Sequence, residues 1–91
     1  MTFIPREIPR VLSIAGTDPT GGAGLQADLK SIAAAGGYGM GVVTALVAQN
    51  TCGVRSVHTP PLSFLQEQLD AVADDVAVSY THLTLPTILL V

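Results

Sequence analysis

A glycine-rich turn constrains the fold of this chain more than any other feature of its sequence. The segment IAGTDPTGGAG, residues 14–24, holds four glycines and one proline. It follows a short apolar run, Val11–Ala15, of the kind found in buried parallel strands. Thr20 is well placed to cap a helix over about residues 21–35. The sequence therefore predicts a strand, a tight turn and a helix in close succession.

Strand-like and helix-like patterns continue to alternate as far as residue 76. The run Val42–Asn50 is apolar and rich in β-branched residues, and Val54–Thr59 fits a third, shorter strand. Pro60 and Pro61 then open a helix that extends to about Val76. Each predicted helix has one apolar face with residues three or four positions apart: Leu25, Leu29, Ile32 and Ala33 in the first, and Leu62, Leu65, Leu69, Val72 and Val76 in the second. This alternation predicts an α/β fold with a parallel sheet covered by helices.

Composition limits the classes of function. Hydrophobic residues make up 48% of the chain and charged residues 12%, about half of the usual quarter, as in the interior of a larger molecule. The net charge of −3, with four basic residues, argues against a nucleic-acid surface. The single cysteine, Cys52, excludes an internal disulfide and a multi-thiolate metal site. No apolar run reaches the roughly 20 residues that span a bilayer. The N-terminus does not resemble a signal peptide, so a cytoplasmic location is predicted.

The last fourteen residues do not fit the rest of the pattern. Residues 78–91, VSYTHLTLPTILLV, contain no charged residue and no glycine, and they show no clear helical or strand period. The stretch VSYTHLTLPT resembles one reading frame of a transposase-end adapter used to prepare sequencing libraries. We therefore expect the natural reading frame to end near Ala77 and residues 78–91 to be a non-native tail. The alternative is an ordinary edge strand, His82–Leu85, ended by Pro86.

The glycine-rich turn has the parts of an anion site. Free backbone N–H groups converge at a helix N-terminus, where the helix dipole favours negative charge. The turn lacks the lysine of a G-x-x-x-x-G-K-[ST] loop, and the spacing of Gly21, Gly22 and Gly24 does not match G-x-G-x-x-G. From the residues alone, a ligand cradle and a tight connection without a ligand are equally possible. Either way, a pocket is expected at the carboxyl end of the first strand.

The residues in order carry a specific resemblance. AGTDPTGGAGLQADLK, followed by YGMGVVTALVAQNT, resembles the N-terminal part of the bacterial hydroxymethylpyrimidine/phosphomethylpyrimidine kinases, members of the ribokinase-like superfamily. The resemblance covers about Val11–Val76. Departures are mild: Thr17 and Thr20 stand where serine is frequent, Gly41 also replaces a common serine, and Cys52 stands where larger residues are usual.

The resemblance implies a fold and an activity. Residues 1–77 are expected to be the N-terminal β-α-β portion of a truncated, ribokinase-like three-layer α/β domain. The family uses ATP and Mg²⁺ to phosphorylate 4-amino-5-hydroxymethyl-2-methylpyrimidine and then its monophosphate, in thiamine biosynthesis, and its members are often homodimers. Two alternatives stay open: a pyridoxal-type vitamin kinase, and a non-catalytic module that binds an aminopyrimidine.

The resemblance also places the chemistry within the family's sequence. The ATP site, the anion hole and the catalytic base come from the C-terminal half of these kinases. No catalytic residue is therefore expected in this chain, which should be inactive alone and poorly soluble or partly disordered.

Four residues are predicted to contact the substrate: Gln49, Gly16, Asp28 and Val47. The Gln49 amide offers a donor beside an acceptor, which complements the ring nitrogen and amine of an aminopyrimidine edge. The resemblance places Gln49 and Asp28 at the pyrimidine. Gly16 ends the first strand and lets a substrate approach the backbone, and Val47, two residues before Gln49, shares its side of the strand. The alternatives are a surface or capping residue for Gln49, a turn glycine with positive φ for Gly16, a solvated helical charge for Asp28 and core packing for Val47. Asp18 is expected to cap the turn through its side chain.

Overall fold

The structure is a computed structural model that describes residues 8–78 and 80–83. These residues form four strands and two helices in the order β1 (Arg10–Gly16), α1 (Gly24–Ala34), β2 (Tyr38–Asn50), β3 (Gly53–His58), α2 (Leu62–Asp75) and β4 (Tyr80–Leu83). The strands lie side by side in the order β3-β2-β1-β4. The predicted α/β class is therefore confirmed.

The sheet is mixed, so the prediction of an all-parallel sheet is wrong for one strand. Strands β2 and β4 run parallel to β1, whereas β3 runs antiparallel to β2. Only Thr51 and Cys52 separate β2 from β3, which is too short for the crossover that a parallel pair requires. The Asn50 Oδ1 atom accepts a hydrogen bond from the Cys52 backbone N–H at 2.8 Å, and Gly53 has a φ of 145°. These features form a tight hairpin.

Helix α1 packs on a part of β2 that has little side-chain bulk. A Cβ atom added to Gly39 would lie 2.9 Å from Leu29 Cδ2, and one added to Gly41 would lie 2.6 Å from Leu25 Cδ1. The two glycines therefore let the leucines of α1 rest directly on the strand. Ala33, which we expected on the same helix face, is exposed, so that part of the prediction is wrong.

Helix α2 covers β2 less completely. The parallel strands β2 and β4 lie on either side of β1, so the connection from β2 to β4 crosses the sheet in the direction opposite to that from β1 to β2. The right-handed crossover rule therefore places α2 on the face of the sheet opposite α1. Leu65, Leu69 and Val72 are partly buried, as the spacing predicted. Leu62 is 80% exposed. It is the first residue of α2 and lies outside the contact with β2, so its predicted burial is wrong.

The buried core lies in the two central strands. Its apolar members are Leu12, Ala15, Val42, Ala45 and Val47. Within the part of the chain that the structure describes, neither helix is long and apolar enough to cross a bilayer.

A β-bulge in β2 determines which face the end of this strand presents. Ala15 pairs with Val43 but the next residue, Gly16, pairs with Ala45, so Thr44 is an extra residue. Paired residues share a face of the sheet and successive residues alternate. Without the bulge, strict alternation would place each residue after Thr44 on the other face of the sheet.

The end of the described chain forms an edge strand. Residues 80–83 pair with Val11–Ile14, and the Arg10 Nε atom donates a hydrogen bond to the Ala77 carbonyl. The strand begins two residues before the edge strand weighed from the sequence, and the expected break at Pro86 lies outside the described residues. Strand geometry does not distinguish a native from a non-native segment, so the origin of residues 78–91 stays a prediction.

Candidate functional site

The glycine-rich turn is built around the carboxylate of Asp18, which is only 3% exposed. Its Oδ1 atom accepts hydrogen bonds from the backbone N–H and the hydroxyl of Thr20, at 3.0 and 2.9 Å. Its Oδ2 atom accepts from the backbone N–H groups of Gly22 and Ala23, at 3.0 and 2.9 Å. The expected capping of the turn by Asp18 is confirmed. The carboxylate lies immediately before α1, where an anion is electrostatically favoured.

These contacts determine the ionisation of Asp18. Burial alone raises the pKa of the carboxyl group, but the hydrogen bonds from Thr20, Ala23 and Gly22 outweigh that effect and hold the pKa below its ordinary value. Asp18 is therefore ionised at neutral pH, and the turn contains its own anion. Two backbone N–H groups of the turn, those of Gly22 and Ala23, are therefore already engaged by this internal anion.

Thr20 is not the N-cap of α1, so that prediction is wrong. The N-cap is Ala23, which makes no side-chain capping bond, and the helix begins at Gly24 rather than near residue 21. The Thr20 hydroxyl bonds to Asp18 instead. Asp18 thus organises the turn that precedes the helix.

The first residue of α1 touches the last residue of β1. Gly24 has a φ of 59°, and a Cβ atom there would lie 2.4 Å from the Gly16 carbonyl oxygen. Positive φ occurs among the described residues at Gly21, Gly24, Gly36 and Gly53, not at Gly16. Gly16 is therefore not a turn glycine that needs positive φ, and that alternative interpretation is wrong.

Three of the four residues predicted to contact the substrate lie on one face of the sheet. Gly16 pairs with Ala45. The register shift between Ala48 and Gln49 leaves the extra residue in β3, because Ala48 pairs with Ser56 and Gln49 with Val54. Alternation along β2 therefore puts Val47 and Gln49 on the same face as Gly16. Val47 is buried and Gln49 is partly exposed, in keeping with this alternation. The bulge at Thr44 is what brings these residues together at the carboxyl end of β1.

Asp28 lies apart from the other three, on the side of the sheet covered by α1. Its Oδ2 atom accepts a hydrogen bond from Ser13 Oγ at 2.7 Å, and Ser13 is fully buried. The residue is therefore partly buried and hydrogen-bonded rather than a freely solvated helical charge. Ser13 was not singled out from the sequence.

Thr17 joins the ends of β1 and β2 and was also missed as a site residue. Its backbone N–H donates to the Ala45 carbonyl at 3.0 Å, and its Oγ1 atom accepts from the Val47 backbone N–H at 3.1 Å. The hydroxyl thus continues the ladder of hydrogen bonds beyond the end of β1. The sequence did offer one clue. Serine is frequent in the resembling family where this chain has Thr17, and both residues carry a hydroxyl.

An open cleft of about 410 Å³ lies between the turn and the β2–β3 hairpin. Its lining residues are Thr17, Pro19, Leu46, Val47, Ala48, Ser56, Val57 and His58. Mostly apolar walls with a few polar groups are typical of sites for small organic ligands. Of the four predicted substrate residues, only Val47 lines this cleft. His58 is exposed and lines it too.

The described residues do not fit a nucleotide–metal site. Residues 8–78 and 80–83 contain no group of three His, Cys, Asp or Glu side chains that could hold a metal ion. The N–H groups of Gly22 and Ala23 in the turn already bind Asp18. This segment therefore provides an apolar cleft and a sheet end.

Sequence comparison finds relatives that are phosphomethylpyrimidine kinases or thiamine biosynthesis proteins. The family model of phosphomethylpyrimidine kinase matches residues 18–83. A thiamine biosynthesis multifunctional protein of Corynebacterium glutamicum is 80% identical over 70 residues, which cover 77% of this chain and 9% of that protein. The hydroxymethylpyrimidine/phosphomethylpyrimidine kinase of Salmonella typhimurium is 58% identical over 72 residues, covering 79% of this chain and 27% of the enzyme.

Solved structures share the fold. The phosphomethylpyrimidine kinase of Clostridium difficile superposes with a TM-score of 0.79 at 44% identity, over 82% of this chain and 32% of that structure. The pyridoxal kinase of Staphylococcus aureus in complex with pyridoxal gives a TM-score of 0.75 at 31% identity, over 85% of this chain and 29% of that structure. The chain thus spans about a third or less of each of these proteins.

Proposed function

The chain belongs to the phosphomethylpyrimidine kinase family, and we propose that it forms the pyrimidine-binding part of an ATP-dependent kinase of thiamine biosynthesis. The observation that carries this proposal is the grouping of Gly16, Val47 and Gln49 on one face at the carboxyl end of β1. The carboxyl ends of parallel strands are where α/β folds bind their ligands.

Each of these residues has a distinct proposed role. The Gln49 amide pairs with the ring nitrogen and the exocyclic amine of the pyrimidine, since its donor and acceptor lie side by side. Val47 provides an apolar surface for the flat ring. Gly16, which has no side chain, lets the ring approach the main chain. Asp28 is also proposed to contact the substrate, from the α1 side of the sheet, where Ser13 Oγ donates a hydrogen bond to its carboxylate.

The turn is proposed to set the direction of the substrate. The ionised Asp18 carboxylate lies at the start of α1 and repels a second anion there. The uncharged ring of a phosphomethylpyrimidine is therefore expected nearer the turn, with its phosphate pointing away. The substrate proposed is a small molecule, 4-amino-5-hydroxymethyl-2-methylpyrimidine or its monophosphate.

Phosphoryl transfer itself is assigned to parts of the family's proteins that this chain does not match. Bound ATP supplies the phosphoryl group, and Mg²⁺ neutralises its charge. The described residues do not fit that nucleotide–metal site, so no step is assigned to them. We also propose a domain boundary near residue 77, a cytoplasmic location, and a homodimer for the full-length form.

Two alternative functions have different supports. A pyridoxal kinase is supported by the shared fold of the Staphylococcus aureus enzyme, at 31% identity. The pyrimidine kinases match at higher identity, 58% for the Salmonella enzyme, which favours a pyrimidine substrate. A binding module without transfer is the other alternative, and the experiment below distinguishes it from a kinase.

The proposal is tested in a chimera. Residues 10–76 replace the matching segment of the Salmonella typhimurium kinase, and phosphorylation of hydroxymethylpyrimidine and of pyridoxal is compared with that of the unmodified enzyme. We expect the chimera to phosphorylate the pyrimidine with a KM close to that of the parent. A folded chimera that prefers pyridoxal would favour the vitamin-kinase alternative. One that binds the pyrimidine in calorimetry without transfer would favour the binding module.

A further inference from the structure

One edge of β2 lacks a neighbouring strand just before the bulge. Strand β1 pairs with β2 as far as Ala45, while β3 pairs with it only from Leu46 onward. The outer edge of β2 at Val43 therefore faces no strand among the described residues. Unpaired backbone groups at such a position cost free energy when they are shielded from water.

A side chain from α2 fills this gap. The Gln68 Oε1 atom accepts a hydrogen bond from the Val43 N–H, and Gln68 Nε2 donates one to the Val43 carbonyl, both at 2.9 Å. The amide thus makes the pair of bonds that a neighbouring strand would make. Gln68 is partly buried, unlike Gln66 two residues earlier in the helix.

The position of this contact matters because Val43 immediately precedes the bulge residue Thr44. A slip of one residue in a strand moves every later side chain to the other face of the sheet. Gln68 holds both backbone groups of Val43 from the outer edge, and Ala15 is its register partner on β1. Beyond the bulge, the Thr17 backbone N–H donates to the Ala45 carbonyl. The extra residue is therefore confined to Thr44.

We propose that Gln68 is a positioning residue for the pyrimidine site. It fixes the bulge, and through the bulge it fixes the face on which Val47 and Gln49 lie. The inference rests on the proposed function, because it assigns those two residues to the substrate. Gln68 itself does not contact the substrate in this proposal.

Loss of the Gln68 amide should therefore weaken the binding of the pyrimidine but not that of ATP. The Val43 N–H and carbonyl lose their partners, and alternative registers of β2 become populated. Binding of the pyrimidine weakens because a fraction of molecules presents Gln49 on the wrong face. Binding of ATP is unaffected, since the described residues do not provide its site.

The test compares two glutamines of the same helix in the chimera. Gln68→Met keeps the length of the side chain and removes both hydrogen bonds. Gln66→Met is the matched control, because Gln66 Nε2 bonds only to the exposed Asp70 Oδ1, at 2.9 Å. We expect Gln68→Met to raise the KM for the pyrimidine about tenfold, the equivalent of about 1.4 kcal/mol, and to leave the KM for ATP within a factor of about two. Gln66→Met should change neither. Equal effects of the two substitutions, or a parallel loss for both substrates, would overturn the proposal.

A second measurement keeps the inference independent of activity. Amide hydrogen exchange at Val43 and Gln49 should accelerate in Gln68→Met and not in Gln66→Met; unchanged exchange would overturn the proposal. If Gln68→Met does not fold, Gln68→Glu replaces it, because it retains the acceptor for the Val43 N–H and should give an intermediate effect. A chimera that binds no pyrimidine contradicts the proposed function, while the exchange data still decide whether Gln68 controls β2.

Discussion

The corner formed by β1, the turn and α1 differs sharply from the β2–β3 hairpin. In the corner, Asp18 is almost fully buried and its carboxylate receives four hydrogen bonds. In the hairpin, every residue of β3 is exposed, and apolar side chains such as Leu46 and Val57 reach the surface. The corner satisfies its polar groups internally, whereas the hairpin leaves apolar surface available. We infer that the corner supplies stability and that the hairpin side supplies contacts to other molecules.

The largest expected effect comes from adding a single methyl group to the corner. Gly24→Ala places a Cβ atom 2.4 Å from the Gly16 carbonyl oxygen at a φ of 59°, so either the strand end or the helix start must move. We expect the free energy of unfolding of the chimera, measured by urea denaturation, to fall by about 3 kcal/mol or more.

The hairpin offers a matched control for that substitution. Gly53 also has positive φ, 145°, but a Cβ atom there would meet nothing within 4 Å. Gly53→Ala should therefore cost only the backbone strain, about 1–3 kcal/mol, and less than Gly24→Ala. A Gly53 variant as unstable as the Gly24 variant would remove the contrast between the corner and the hairpin.

A binding measurement tests the same contrast on the hairpin side of the molecule. Gln49→Leu should weaken pyrimidine binding by roughly 1–3 kcal/mol in the chimera, the cost of leaving a buried polar group of the ligand unpaired. Its unfolding free energy should stay close to that of the parent, because Gln49 is partly exposed. Calorimetry and denaturation on the same protein check both halves, and unchanged affinity would count against the assignment of Gln49.

Thr17 connects the two regions and should have a smaller effect. Thr17→Val removes the acceptor for the Val47 N–H and is expected to destabilise the fold by about 1–2 kcal/mol. Thr17→Ser retains the hydroxyl and serves as the control. Similar stabilities for the valine and serine variants in thermal unfolding would show that this hydrogen bond is dispensable.

The smallest expected effect is a dependence on pH that belongs to the corner. The pKa of Asp18 is lowered in the folded chain relative to its ordinary value of 3.8, so the unfolded chain binds more protons in acid. The stability that Asp18 contributes is present above that value and is lost as the pH falls through the lower pKa of the folded state. Urea denaturation across this range should show a flatter profile for Asp18→Asn than for the parent. Parallel profiles would contradict the role of the ionised carboxylate.

Local sequence patterns were sufficient for much of the fold. Apolar runs located β1 and most of β2, and three- and four-residue spacing located both helices, because these signals depend on neighbours in the chain. The start of α1 was misplaced because its N-cap, Ala23, carries no side-chain capping signal, whereas the hydroxyl of Thr20 bonds to Asp18 within the turn.

Features that depend on pairing were not accessible in this way. The bulge at Thr44 exists because Gly16 pairs with Ala45, a contact between residues far apart in sequence. The bonds from Gln68 to Val43 likewise require the packed helix. The shared face of Val47 and Gln49 was predicted from their spacing, but the placement of Gly16 on that same face follows from the bulge.

The hairpin tip has a practical consequence for solution studies. Cys52 is exposed in the two-residue link between β2 and β3, and it is the single cysteine of the sequence. One maleimide dye can therefore be attached at a defined place without engineering any other residue. Its fluorescence would report directly on the surroundings of the hairpin, a few residues from Gln49, as a candidate ligand is titrated.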